Sequence, residues 1–363
     1  MTRLDELPIR DDLRGSTPYG APQKPVRIQL NVNENTHPVP EGVVAHVTSA
    51  VERAVRSVNR YPDREFTELR EHLAAYLTAA EPAHPVVAEQ VWAANGSNEV
   101  IQHVLQAFGG PGRRMLGFPP TYSMHSIIAG STGTAWVTAE RDADFRISPE
   151  TVTSAIEREQ PDIVVLCAPN NPTGTPLGLE TIEAAYEATD GILLVDEAYA
   201  EFMPSGHASA LSLLPGRPRL AVSRTMSKAF AFAGARLGYL AADPALIDAL
   251  RLVRLPYHLS AITQAAAVAA LQQAPAMLET VDAIREQRDR LLVELAALGY
   301  APHESWANFV LFGGVDDPQA TFDYLLANDI LIRDVGLAGH LRVTAGTEAE
   351  TSEFLEVLGR MPR

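Results

Sequence analysis

Cysteine is nearly absent. Cys167 is the only one, which rules out an internal disulfide framework and fits a reducing compartment. Lysine is almost as scarce: of 29 basic residues only Lys24 and Lys228 are lysine, and arginine supplies the rest. No stretch approaches the roughly 20 apolar residues that a bilayer span needs, and the most apolar run, ITQAAAVAAL, reads as a buried helix. The opening MTRLDELPIRDD has no apolar run behind a basic patch, so no signal peptide is expected and a cytoplasmic location is. Basic charge is deficient as well. A net charge of -16 argues against nucleic acid, whose binding needs a basic face, and it means that any anionic ligand must be held by a local cluster of donors. The ten histidines are scattered, none within four residues of another, so no metal pair is expected.

What is present is organised. A chain of 363 residues suits one large domain and a smaller one. The first forty residues, rich in proline and asparagine, read as an extended arm. Helical patterns follow at 42–58 and 66–80. From residue 91 to 243, helical segments at 97–108, 149–159 and 179–188 alternate with short apolar runs. Those runs, at 114–118, 135–138, 162–168, 192–195, 220–224 and 238–241, predict a mostly parallel, helix-covered α/β sheet. After Pro256 two helical stretches (260–273 and 276–298) lead into an α+β tail, whose last helix opens on a Thr347–Glu350 capping box.

Ligands of open α/β sheets bind beyond the carboxyl ends of the strands. Four polar clusters fall at that rim. Gly96-Ser97-Asn98 opens the helix at 97, and Pro169-Asn170-Asn171-Pro172-Thr173-Gly174 follows the run 162–168. Asp196-Glu197-Ala198-Tyr199 follows 192–195, and Thr225-Met226-Ser227-Lys228 follows 220–224. Each alone could be a turn or a helix cap; four together point to a ligand. A lysine kept in a chain that otherwise uses arginine suggests amine chemistry, because a guanidinium does not deprotonate. Gly96, Ser97 and Asn98 offer helix N–H groups to a phosphate, and Thr225, Ser227 and Arg236 add to that anion site. Asp196 suits a pyridine nitrogen, Asn171 and Tyr199 a phenolic oxygen, and Lys228 an imine with an aldehyde. These four requirements describe pyridoxal phosphate. Cys167, with no activating base nearby in sequence, reads as a small core hydrophobe.

PNNPTG, the DEAY segment and SKAFAFAGARLG, in that order, resemble the motifs of the fold-type-I, pyridoxal-phosphate-dependent aminotransferases of class I and II. LRGSTPYGAPQ, LNVNEN, NRYPD, AANGSNE, PPTYSMH, RLPYHLS, ANFVLF, ILIRDVG and LRVTAGT narrow the similarity to the histidinol-phosphate aminotransferase group, over residues 13–347. One departure is Thr36 in NENTHP, where that group usually carries proline. The resemblance implies a large cofactor-binding domain at 42–258, a smaller α+β domain at 259–363, and an N-terminal arm at 1–41 packed on the small domain and a dimer partner. It implies transamination between L-histidinol phosphate and 2-oxoglutarate in histidine biosynthesis, in a ping-pong cycle through an imine on Lys228. Asp196 and Tyr199 would assist catalysis and Tyr122 would stack on the ring. Tyr61 of the partner subunit would reach the phosphate, which makes the enzyme a homodimer. Tyr19, Asn171, Arg333 and Arg342 would bind substrate, with Glu34, Tyr257 and His258 as further candidates near the imidazole. Alternatives with the same cofactor are an aromatic amino acid aminotransferase and an amino-acid-phosphate decarboxylase of cobalamin synthesis. A ligand-sensing module of a transcription regulator lacks the added DNA-binding domain it would need, and a dinucleotide-binding protein lacks its GxGxxG motif.

Overall fold

The computed structural model describes residues 3–15 and 17–362. After the arm, with its short strand β1 (Ile28–Gln29), come helices α1 (Glu41–Val55) and α2 (Thr67–Ala80). The large sheet then forms from β2 (Val91–Ala94), β3 (Arg114–Gly117), β4 (Ala135–Thr138), β5 (Ile163–Cys167), β6 (Ile192–Asp196), β7 (Leu220–Thr225) and β8 (Gly238–Ala242). Between them run α3 (Ser97–Phe108), α4 (Met124–Thr132), α5 (Pro149–Glu159) and α6 (Leu179–Ala188). The strand order is β2-β8-β7-β6-β5-β3-β4, and only β8 runs against its neighbours. Strands β5 to β8 are buried along their whole length, as unbroken aliphatic runs should be in a sheet covered on both faces. The expected α/β architecture with a mostly parallel sheet is therefore what the chain adopts.

Helices α7 (Pro244–Val253), α8 (Ala261–Leu271), α9 (Ala274–Leu278) and α10 (Thr280–Ala297) follow. The two long helices expected after Pro256 become three, because Pro275 starts a new first turn at α9 where it has no N–H to donate. Helix α8 packs on α1 and α2, so the core of the large sheet extends to Met277. A second core gathers α10, β9 (Ala301–Pro302), β10 (Phe309–Gly313), α11 (Pro318–Ala327), β11 (Ile330–Leu331), β12 (Leu341–Thr344) and α12 (Glu348–Gly359). Its sheet is antiparallel in the order β12-β10-β9. The Thr347–Glu350 capping box opens α12 as expected, with Thr347 Oγ1 accepting from the Glu350 N–H.

Two features join the cores around the rim of the large sheet. Strand β1 pairs in parallel with β11, which docks the arm on the second core, and Arg27 forms an ion pair with Glu353 of α12. Tyr199 and Phe202, which follow β6, bury their rings in the second core rather than the first. Among the described residues no helix is long and apolar enough to cross a membrane.

Candidate active site

A cavity of roughly 450 Å³ opens where the carboxyl ends of β5, β6 and β7 face the arm and the second core. Its anion end is built by close backbone approach. Gly96 turns into α3 at φ 86°, a left-handed conformation that suits glycine, and a Cβ there would lie 2.6 Å from an Arg236 guanidinium nitrogen. Gly238 admits no side chain either, since its Cβ would meet the Ser97 nitrogen at 2.1 Å. Strand β8 is thus pressed against the first turn of α3, whose leading N–H groups have no intrahelical acceptor. The hydroxyls of Thr225 and Ser227 lie 3.0 Å apart beside Arg236. Such a set of donors around a helix N-terminus suits a phosphate.

Asp196 closes the end of β6 and is almost fully buried. Its carboxylate is held from two sides, by His125 Nε2 at 3.1 Å and by the Ser223 hydroxyl at 3.2 Å. Tyr122 meets His125 edge-to-face, and burial pushes its phenol up to about 12. Lys228 is half-buried and donates from Nζ to the Val32 carbonyl at 2.9 Å. Burial lowers its pKa to about 8, aided by the positive fields of Arg342 and Arg236 and opposed by Glu34. An amine held there exchanges its proton near physiological pH. Cys167 lies in the wall with its thiol pushed up by burial, so it behaves as the core hydrophobe expected.

The opposite wall comes from the arm and the second core. Arg342, on β12, reaches Asn171 Oδ1 with one guanidinium nitrogen and the Asn31 carbonyl with another, and lies over the Phe309 ring. Burial lowers its pKa to about 10, which still leaves it charged. Arg333 pairs its backbone with Arg342 and also lines the cavity. Asp334, its sequence neighbour, accepts from the Gly336 N–H instead of pairing with it. Asn171 in turn donates to the Tyr199 hydroxyl at 3.2 Å.

Fifteen residues carried the expectation, and the cavity gathers nearly all of them. Ser97, Asn98, Tyr122, Asn171, Asp196, Tyr199, Thr225, Ser227, Lys228, Arg236, Arg333 and Arg342 line it, Tyr19 stands half-exposed at its edge, and Gly96 lies beneath Arg236. Tyr61 does not line it. It is 80% exposed and stacks on Tyr257 at 4.5 Å. Glu34, Tyr257 and His258 also lie outside the lining; His258 stacks on Trp92 and bonds the Ala93 carbonyl. Sequence reasoning missed His125, whose only signal was its place three residues after Tyr122 in PPTYSMH, and it missed Asn31, Val32 and Asn33 of the arm.

A family model described as aminotransferase class I and II matches residues 25–358. The chain belongs to that family. A histidinol-phosphate aminotransferase of Paenarthrobacter aurescens (strain TC1) is 56% identical to this aminotransferase over 361 residues, 99% of this chain and 96% of the relative. That of Thermobifida fusca (strain YX) is 54% identical over 355 residues, 98% of this chain and 95% of the relative. Among solved structures, histidinol-phosphate aminotransferase from Sinorhizobium meliloti in complex with pyridoxal-5'-phosphate superposes with a TM-score of 0.82 at 26% identity, covering 92% of this chain and 91% of that one. An aspartate aminotransferase of Thermus thermophilus gives 0.82 at 25% identity, covering 97% and 99%.

The family depends on pyridoxal phosphate, and the residues of this aminotransferase fit that group. The close backbone approach at Gly96 and Gly238 leaves a cradle that side chains would fill. Acid, amine and anion donors converge on one cavity of suitable size.

Proposed function

We propose that this aminotransferase moves the amino group of L-histidinol phosphate to 2-oxoglutarate, a step of histidine biosynthesis. The carrying observation is a cavity lined by two sets of anion donors, the α3–Arg236 cradle and the Arg333–Arg342 pair, together with Lys228 and Asp196. When bound, pyridoxal phosphate supplies an aldehyde carbon for amine capture and a pyridinium ring that draws electrons from the substrate's Cα. Ser97, Asn98, Thr225, Ser227 and Arg236 would hold its phosphate. Asp196, fixed by His125 and Ser223, would keep the ring nitrogen protonated. Asn171 and Tyr199 would face the phenolic oxygen, and Tyr122 the ring. Lys228, with its pKa near 8, takes a proton from the substrate's Cα and returns one on the far side of the transfer. Arg333 and Arg342 present planar, bidentate donors that accept either a phosphate or a carboxylate, which suits two anionic substrates taking turns. Tyr19 would close the mouth of the cavity.

The exposed Tyr61–Tyr257 stack supports a homodimer in which each copy lends Tyr61 to the other's phosphate end. A cytoplasmic site of action fits the lone buried cysteine. The deciding experiment mixes stoichiometric L-histidinol phosphate with the enzyme. Loss of the visible cofactor band and appearance of pyridoxamine phosphate are expected. Turnover confined to phenylalanine and tyrosine would establish the aromatic alternative, and carbon dioxide release with return of pyridoxal phosphate the decarboxylase.

A further inference from the structure

Asn33 stands out among the arm residues that line the cavity. It is 2% exposed and adopts φ 57°, a left-handed conformation that asparagine tolerates better than most residues. Four hydrogen bonds fix it there. Its N–H donates to Thr344 Oγ1 at 3.1 Å, and its carbonyl accepts from Asn308 Nδ2 at 3.1 Å. Its side-chain oxygen accepts from the Thr344 hydroxyl at 3.2 Å, which leaves Nδ2 to donate to the Tyr199 hydroxyl at 2.9 Å. In this structure the Thr344 hydroxyl donates to the oxygen end of the Asn33 amide, and Arg342, which can only donate, holds the oxygen end of the Asn171 amide.

The Tyr199 oxygen therefore accepts twice, from Asn33 and from Asn171 (3.2 Å). A phenolic oxygen has two lone pairs and one proton. With both lone pairs taken, only the proton remains, and it is free to point into the cavity that Tyr199 lines. We infer that Asn33 is a positioning residue that makes the Tyr199 hydroxyl an obligate donor to the bound cofactor's phenolic oxygen. The inference rests on the pyridoxal-phosphate function proposed above. It gives the arm a part in the chemistry: the second core holds Asn33 through Thr344 and Asn308, and Asn33 orients a side chain rooted after β6. Without it, Tyr199 could turn its proton towards a water in the space the amide leaves, and the phenolic oxygen would lose that donor.

The test titrates the visible band of the holoenzyme with pH, in a double-mutant cycle of Asn33→Gly and Tyr199→Phe. Glycine removes the amide while keeping the left-handed backbone comfortable. A hydroxyl donating to the phenolic oxygen stabilises its negative charge without the neighbouring nitrogen's proton, so losing that donor raises the midpoint. Asn33→Gly should raise it by about 0.5 to 1 pH unit, the worth of one hydrogen bond, and should add nothing in the Tyr199→Phe background. Asn33→Asp, isosteric but unable to donate and able to capture the phenolic proton, should shift it at least as far. An unchanged midpoint in Asn33→Gly overturns the inference, as does an equal shift in both backgrounds. Failure of both variants to fold and bind cofactor would make Asn33 purely structural and overturn it too. Borohydride trapping of the cofactor on Lys228 in each folded variant checks the underlying function separately; its absence from the natural sequence would defeat that function rather than the part given to Asn33.

Discussion

The two walls of the cavity are built by different means. On the large-sheet side the lining side chains are set by close backbone packing: the first turn of α3, the turns that end β5, β6 and β7, and glycines at 96 and 238 that let chain touch chain. On the other side the wall is made of reach: long side chains from the arm and the second core, led by Arg342, Arg333 and Tyr19. The first wall, locked into a continuous buried sheet, keeps one shape and suits a cofactor that stays bound through both halves of the cycle. A wall of arginines and a half-exposed tyrosine can accept a phosphate in one half of the cycle and a carboxylate in the other. Fixed geometry goes with the resident group, adaptable geometry with the visitors.

The largest blow to that division is Lys228→Ala, which belongs to both walls' chemistry. Transamination should fall by about 10⁴-fold or more, and borohydride should no longer fix the cofactor to the protein; retention of the trapped adduct would end the assignment. Arg342→Ala should strike chiefly the adaptable wall, although it also frees Asn171 Oδ1. The expected loss in kcat/KM for L-histidinol phosphate is about 10²-fold, with cofactor content unchanged, and a matching loss of cofactor affinity would erase the distinction between the walls. Gly96→Ala should do the reverse. Its Cβ would push Arg236 aside at a strained φ, weakening cofactor binding by about tenfold in equilibrium dialysis while the substrate KM of the loaded enzyme stays put.

Lys228 also offers a pH test. Its pKa in the folded chain lies below the usual 10.5, at about 8, so between those values the unfolded chain binds the extra proton. Stability from this group therefore rises with pH across that window. The thermal midpoint of the cofactor-free protein should climb from pH 8 towards 10.5 relative to Lys228→Met; parallel curves would refute the depressed pKa. The smallest change lies away from both walls. Thr347→Ala removes the α12 capping box, and should cost about 1 kcal/mol in thermal unfolding with kcat and KM untouched.

What was legible in the sequence was local. The bounds of α3, α5 and α6 follow from their periodicity and caps, and the strands of the large sheet from aliphatic runs within a residue or so. The rim clusters were legible because each sits directly after a strand or before a helix. What was hidden depends on partners far away along the chain. Helix α7 was legible and overlooked, since Asp243 caps it, Pro244 takes its first turn and Leu246, Ile247 and Leu250 share its buried face, whereas α4 is weakly amphipathic and VWAA at β2 is half alanine. His125 looks like any helix residue until the sheet brings Asp196 against it, and Asn33 looks like part of a polar arm until 166 positions later Tyr199 supplies its acceptor. Thr36, where the related enzymes usually carry proline, leaves its hydroxyl buried without a partner, and nothing in the structure explains that choice.

The pairing of β1 with β11 has a consequence for how the enzyme comes into being. Residues 28 and 29 are made well before their strand partner, residues 330 and 331. A growing chain can complete the large sheet long before that partner leaves the ribosome. The arm must wait, unpaired, until residues 330 and 331 have been made, and only then can Asn31, Val32 and Asn33 be drawn over the lysine. An interrupted product would carry the cradle for the cofactor without the wall that selects what it reacts with.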